Sequence, residues 1–364
     1  MKQQDCLARV QCVAVAVAVA VAAVVGLVFS GSDLPCMAAD GDADSVSGMI
    51  GLRVAALDSL PQLADASAEA LECLNGLWWE SAKFSVVCDE PQEFGCQALL
   101  RFPSAVDSGH PQNDNVVVEW YAVTDEAGRI LQGPAMVVVH ESGRGMTVGR
   151  MVARGLRDRG VHAFMVQLPF YGQRRPADVR SEDQQFATLM RQGIADVRRT
   201  LDAVKSLPGV DASRISLQGT SLGGFIAATT AGLDDAFYRT FVLLAGGNLP
   251  DLVATGNRET ADLRQLLKSQ GFDGEKARRL LQRFEPNLLS HRIDPERLWL
   301  YSATFDTVVT PSSSESFAKA SGLDPSHHIR MPANHYSGVL FLPMVLDQIA
   351  TECGGHAMTL KMHK

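Results

Sequence analysis

The hexapeptide Gly219-Thr220-Ser221-Leu222-Gly223-Gly224 constrains this chain more than any other stretch. It follows the apolar run Arg214-Ile215-Ser216-Leu217-Gln218 and precedes a small-residue segment at 225–232. The order is strand, very tight turn, helix. Small residues on both flanks leave room for strained backbone, so Ser221 is expected at the tip, exposed at the end of a sheet. The helix after it would aim its first amides at any negative charge developing beside the hydroxyl.

From residue 135 onward the pattern alternates strand and helix. Strands are expected at 135–139, 161–166, 214–218, 240–245, 298–302 and 328–331. Helices are expected at 147–159, 182–207, 222–233 and 339–351. Such alternation reads as an α/β chain with a doubly wound, mostly parallel sheet that binds ligands at the carboxyl ends of its strands. Two earlier strands, at 96–102 and 116–123, suggest an antiparallel opening and bring the sheet to about eight strands. Residues 52–77 show apolar spacing of helical type, interrupted by Pro61, and are read as one or two helices before the sheet. The segment 248–292 breaks the alternation. It reads as a charged, amphipathic helical insertion, either a small cap over the strand ends or plain packing.

The N-terminal region reads differently. Lys2 and Arg9 precede a Val/Ala-rich run at 12–29, then a polar stretch and Pro35-Cys36-Met37-Ala38-Ala39. Residues 1–39 therefore have the layout of an export signal, cut near Ala38 or Ala39, or of an uncleaved membrane anchor. Both readings put the remainder outside the cytoplasm: secreted, periplasmic or membrane-tethered. Residues 40–95 are expected to form a tether and N-terminal helices, and 96–355 the catalytic domain. With a formal net charge of −8 and a pI near 5.6, the chain has no basic patch for nucleic acid. Outside the leader lie Cys73, Cys88, Cys96 and Cys353. Cys88 and Cys96 flank a short acidic turn, which leaves a disulfide or buried thiols open, and no Cys/His cluster has zinc spacing.

A serine hydroxyl needs a base, and the base an orienting acid. Asp306 follows the 298–302 strand and His335 follows the last strand, the two positions from which side chains can reach Ser221. Asp251 is a rival acid. Asp294, Asp324, His327 and His328 would lie at the wrong end of the sheet. Leu222 N–H supplies one oxyanion donor. The loop His140-Glu141-Ser142-Gly143-Arg144-Gly145 should supply the other, from Ser142 or from Glu141, with His140 organising the loop. The loop Leu168-Pro169-Phe170-Tyr171-Gly172-Gln173-Arg174-Arg175-Pro176 opens toward the same face. Phe170, Tyr171 and Arg174 are its expected substrate contacts. Arg174 and Arg175 could hold a phosphate or carboxylate of the substrate, but anchoring the loop to acidic residues of the protein is the weightier reading of the pair.

The elbow at 219–224 with Asp306 and His335 resembles the α/β-hydrolase superfamily over residues 97–351. The string Pro169-Phe170-Tyr171-Gly172-Gln173-Arg174 resembles the group named after abhydrolase domain-containing protein 18. The resemblance implies a metal-free serine hydrolase using Ser221, His335 and Asp306 and says little about substrate; the expected one is a small-molecule or lipid ester, turned over without a cofactor. A prolyl-oligopeptidase-type peptidase and a non-catalytic binding module are the alternatives. The family usually has His-Gly where this chain has His140-Glu141.

Overall fold

The computed structural model describes residues 44–91, 95–177 and 186–355. The expected leader, residues 1–39, lies outside them. Among the described residues no helix is long and apolar enough to cross a membrane.

Among the described residues ten strands form one sheet in the order β1-β2-β3-β4-β6-β5-β7-β8-β9-β10, two more strands than the sequence pattern suggests. The first four are β1 (Arg53–Leu57), β2 (Lys83–Asp89), β3 (Ala98–Pro103) and β4 (Asn115–Tyr121). They pair antiparallel in sequence order, and β4 then pairs antiparallel with β6 (His162–Val166). The remaining strands run parallel: β5 (Gly133–Val139) lies between β6 and β7 (Val210–Thr220), followed by β8 (Thr240–Leu243), β9 (Leu298–Ala303) and β10 (His328–Met331).

Residues 40–95 are thus more than a tether with helices. α1 (Val46–Met49) is a single turn and α2 (Ala68–Leu77) the expected helix, but β1 and β2 extend the sheet. Phe84, Val86 and Cys88 alternate inward along β2 while their neighbours face outward, the signature of a sheet solvated on one side. β5, by contrast, is buried at every residue, as a central parallel strand must be.

Helices cover both faces. α3 (Thr147–Arg157) and α11 (Leu342–Glu352) bury Val152, Leu156, Val345 and Ile349 against one side. α2, α4 (Phe186–Lys205), α5 (Leu222–Asp234) and α10 (Pro311–Ala320) bury Leu74, Ile194, Leu201, Ile226 and Phe317 against the other. The chain leaves β5 to build β6 on one flank, then crosses back to build β7 on the other. In sheets of this kind such a reversal marks the place, at the strands' carboxyl ends, where ligands bind. Between β8 and β9 lie α6 (Leu249–Thr255), α7 (Glu259–Ser269), α8 (Gly274–Gln282) and α9 (Pro286–Leu289), so the 248–292 segment is helical as expected.

Helix α4 carries four buried charges that fasten distant segments. Arg198 binds Asp202, Asp234 and the Ser59 hydroxyl, and Arg199 pairs with Asp58. Removing one partner of such a pair strands a charge in the interior, which costs about 3–5 kcal/mol. Cys73, Cys88 and Cys353 are buried thiols outside any disulfide, so of the two readings left open Cys88 is not bridged to Cys96, which is buried as well. Burial pushes the thiols of Cys73, Cys96 and Cys353 up to about 12.

Candidate active site

Ser221 occupies the turn between β7 and α5 with φ 53° and ψ −117°, a backbone region disfavoured for any residue with a side chain. Two glycines make that turn buildable. A Cβ on Gly219 would lie 2.1 Å from the Gly223 carbonyl oxygen, and one on Gly223 would lie 2.3 Å from the Val139 carbonyl oxygen. The elbow is held by backbone bonds: Ser221 N–H donates to the Leu243 carbonyl of β8 at 2.8 Å, and Gly224 N–H to the Ser221 carbonyl at 2.8 Å.

Asp306 and His335 leave adjacent strands at the same end. The loop after β9 is tied to the loop after β10 by Phe305 N–H donating to the Ala333 carbonyl at 2.9 Å, and by Thr304 Oγ1 donating to the Met331 carbonyl at 2.8 Å. Asp306 is 5% exposed, and its Oδ1 accepts the amides of Val308 (2.8 Å) and Val309 (3.0 Å). Its Oδ2 lies 2.7 Å from His335 Nδ1, and His335 Nε2 lies 3.0 Å from Ser221 Oγ. A carboxylate beside Nδ1 selects the tautomer with the proton there, which leaves Nε2 free to accept from the serine. Asn334 shapes the turn: its Oδ1 accepts the Tyr336 and Ser337 amides at 3.0 and 2.9 Å, while Ser337 Oγ accepts the Asn334 amide at 2.9 Å.

The rivals are occupied elsewhere. Asp251 accepts from the Asn248 side-chain Nδ2, Asp294 and Asp324 cap short 3-10 turns, His327 stacks on Trp299, and His328 binds the Ser302 hydroxyl.

The loop after β5 shows why glutamate follows His140. Glu141 turns its carboxylate back onto the start of α3, accepting Val148 N–H on Oε1 and Gly149 N–H on Oε2, each at 3.1 Å. It satisfies amides that a helix N-terminus otherwise leaves unpaired, and its charge suits the positive end of the helix dipole. Burial pushes its carboxyl above the usual range. Among the described residues neither the Ser142 nor the Leu222 amide donates a hydrogen bond to the backbone of another residue outside the helices and strands.

His140 is fully buried. Its Nδ1 donates to the Glu141 carbonyl at 2.6 Å, and its Nε2 accepts the Leu168 amide at 3.0 Å, joining the two loops. Burial lowers its pKa from 6.5 to about 4. Between those values the unfolded chain binds a proton that the folded chain refuses. Stability present above pH 6.5 is therefore lost as pH falls through this window, by on the order of 3 kcal/mol for this group. Unfolding free energies measured from pH 7 to 4 should fall less steeply in His140→Gln than in the wild-type protein.

The loop after β6 corrects two of the expected substrate contacts, Arg174 and Phe170. Arg174 is 0% exposed, and its guanidinium reaches Asp196 (2.6 Å) and the carbonyls of Asn113 and Gln167 (2.9 Å each). It anchors the loop, and none of its surface remains for substrate. Phe170 is buried too, at φ 67°, with its amide on Asn113 Oδ1 at 2.8 Å. Tyr171 packs its ring against His140 and donates its hydroxyl to the Ser142 carbonyl at 3.0 Å, which fixes the strand-end loop that carries Ser142. Sequence reading missed Asn113, Gln167 and the buried Glu119–Arg150 pair beneath this loop. Nothing in their spacing singles them out, because each acts through a partner remote in the chain.

The sequence model of the family described as Alpha/beta hydrolase domain containing 18 matches residues 134–295, which include the elbow and both strand-end loops but stop before Asp306 and His335. Comparison with curated sequences finds no match. Among solved structures, the fold is similar to a puromycin-hydrolyzing peptidase of Mycobacterium tuberculosis (TM-score 0.51, 15% identity, 74% of this chain). This chain spans only 46% of that peptidase. It is also similar to acetyl xylan esterase 1 from Thermoanaerobacterium sp. JW/SL YS485 (TM-score 0.50, 15% identity, 79% of this chain and 95% of the esterase). An acetyl xylan esterase from Paenibacillus sp. R4 gives TM-score 0.50 and 18% identity over 79% of this chain and 97% of that one. At these identities the likeness concerns the fold. Strand order, elbow and these neighbours give the chain an α/β-hydrolase fold, and its 134–295 segment is similar to the family described above.

Proposed function

We propose that this chain is a serine hydrolase that cleaves carboxylic esters through an acyl-enzyme. The observation that carries the reading is the continuous relay from Asp306 Oδ2 through His335 to Ser221 Oγ, at 2.7 and 3.0 Å, on a strained elbow. Ser221 Oγ attacks the ester carbonyl while His335 Nε2 takes its proton, and Asp306 stabilises the imidazolium that forms. The Leu222 and Ser142 amides receive the oxyanion, a contribution worth about 3–4 kcal/mol per donor in comparable sites. Collapse of the tetrahedral intermediate expels the alcohol, which takes the proton from His335. Water, deprotonated by the same imidazole, then attacks the acyl carbonyl and returns Ser221 to its starting state. The apolar run at 12–29 supports placing this activity outside the cytoplasm, by export or by a membrane tether.

A fluorophosphonate probe tests the nucleophile, and the expected result is stoichiometric labelling of Ser221 in the folded protein. A parallel comparison of p-nitrophenyl esters with aminoacyl anilides tests the leaving group. The expectation is ester turnover well above anilide turnover, and the reverse ranking would favour a peptidase. Folded protein that the probe leaves unlabelled would defeat the proposal.

A further inference from the structure

One short stretch of the helical insertion touches both loops of the relay. Asn257 N–H donates to the Thr307 carbonyl at 3.2 Å, and Thr260 Oγ1 donates to the Val308 carbonyl at 2.9 Å. Thr307 and Val308 belong to the turn whose amides hold Asp306. Between these two contacts, the Glu259 carboxylate accepts the Tyr336 hydroxyl at 2.6 Å on Oε1 and 2.8 Å on Oε2. Tyr336 directly follows His335, and its ring meets the imidazole edge to face at 5.7 Å. Arg258 lies over the outer side of the same ring, 5.1 Å from its centroid, with φ 54° and ψ −124°. A non-glycine residue in that conformation costs on the order of 1–3 kcal/mol, which the surrounding contacts must offset.

We infer that residues 257–260 are a clamp that sets the separation of the Asp306 and His335 loops, and that Glu259 and Tyr336 are positioning residues for the His335 imidazole. The inference rests on the relay reading above and extends it to the insertion. The physical reason is directional. Thr260 and Asn257 fix the Asp306 turn relative to the start of α7, and the Tyr336–Glu259 bond fixes the histidine turn relative to the same helix end. A hydrogen bond from a neutral hydroxyl to a carboxylate is short and about twice as strong as one between neutral groups, so it holds orientation as well as contact. Losing about 1 Å of placement in such an array can lower turnover by about a hundredfold, and a single broken restraint gives part of that. With the insertion as one jaw, the helices between β8 and β9 take part in the geometry of the site without supplying a reacting group.

The test uses the full chain and the variants Glu259→Ala, Glu259→Gln and Tyr336→Phe, with Tyr336→Phe/Glu259→Ala as the double variant. Two readouts are taken. The first is the downfield Nδ1 proton of His335 in NMR spectra, assigned by its disappearance in His335→Gln. The second is the kcat and KM for a p-nitrophenyl ester together with the rate of fluorophosphonate labelling. Glu259→Ala and Tyr336→Phe should each broaden or shift the His335 proton and lower kcat and labelling rate by roughly 5- to 20-fold with KM within about twofold. Glu259→Gln, whose amide oxygen still accepts the hydroxyl, should restore most of both. The double variant should be no worse than either single one, because both remove the same bond. An unchanged His335 proton in both single variants, or multiplicative losses in the double variant, would overturn the clamp. If wild-type protein resists the probe, the relay reading fails by itself, and the imidazole proton still decides whether the clamp holds His335.

Discussion

Ser221→Ala should lower ester turnover by about a million-fold and abolish fluorophosphonate labelling, leaving the fold intact. When the nucleophile of a coupled serine-histidine pair is removed, nothing remains for the base to activate, and losses of about that size follow. A second replacement separates chemistry from strain. Ser221 sits at φ 53° and ψ −117°, where a Cβ is crowded whether it belongs to serine or alanine. Ser221→Gly should be equally inactive but more stable than Ser221→Ala by about 1 kcal/mol, since glycine relieves a strain of about 1–3 kcal/mol while losing some of that gain to greater freedom in the unfolded chain. Urea denaturation of the three proteins measures the difference. Percent-level residual turnover in Ser221→Ala would remove the serine from the chemistry. Equal stability of the alanine and glycine variants would show that the elbow stores no strain.

The central sheet was legible because parallel strands buried on both faces read as unbroken apolar runs, as in Val137, Val138 and Val139, and because the strand-to-helix alternation leaves few topologies. Ser221, Asp306 and His335 were legible for a related reason: chain order and strand ends fix which side chains can meet. The antiparallel edge was harder. β1 reads Arg-Val-Ala-Ala-Leu, whose alanines and leucine suit a helix as well as a strand, and its conformation is decided by pairing with β2 rather than by its own preference. Arg174 shows a different limit. An arginine in a loop at the mouth of a site looks available to an anion, and only the fold reveals Asp196 of α4 lying 2.6 Å away. Glu141 is a third kind of case. It stands where the resembled family usually has glycine, and its side chain is drawn off to the amides of Val148 and Gly149. Glu259 and Tyr336, 77 residues apart, were not legible as a pair because no spacing rule connects a helix start in an insertion to the residue after a histidine.

Gly223→Ala should be the most damaging single substitution in the elbow, costing more than about 3 kcal/mol of stability and preventing accumulation of folded protein at 37 °C. The added Cβ would stand 2.3 Å from the Val139 carbonyl oxygen and 2.5 Å from that of His140. Both obstacles are backbone at the carboxyl end of β5, so no side-chain rotation relieves the overlap. Either α5 must back away from the sheet, or the strand-end loop must move. Both responses separate the Leu222 amide from the Ser142 amide, so any protein that does fold should lose oxyanion stabilisation as well. Gly143→Ala makes the control. The three atoms nearest its Cβ all belong to the Glu141 side chain, the closest at 3.3 Å and none of them backbone, so a shift of a few tenths of an ångström accommodates it and it should fold within about 1 kcal/mol of the wild-type protein. Thermal unfolding and soluble yield of the two variants, measured side by side, decide the matter. If Gly223→Ala proves as stable as Gly143→Ala, the close seating of the elbow helix on β5 is wrong, and with it the path by which the Leu222 amide reaches the oxyanion.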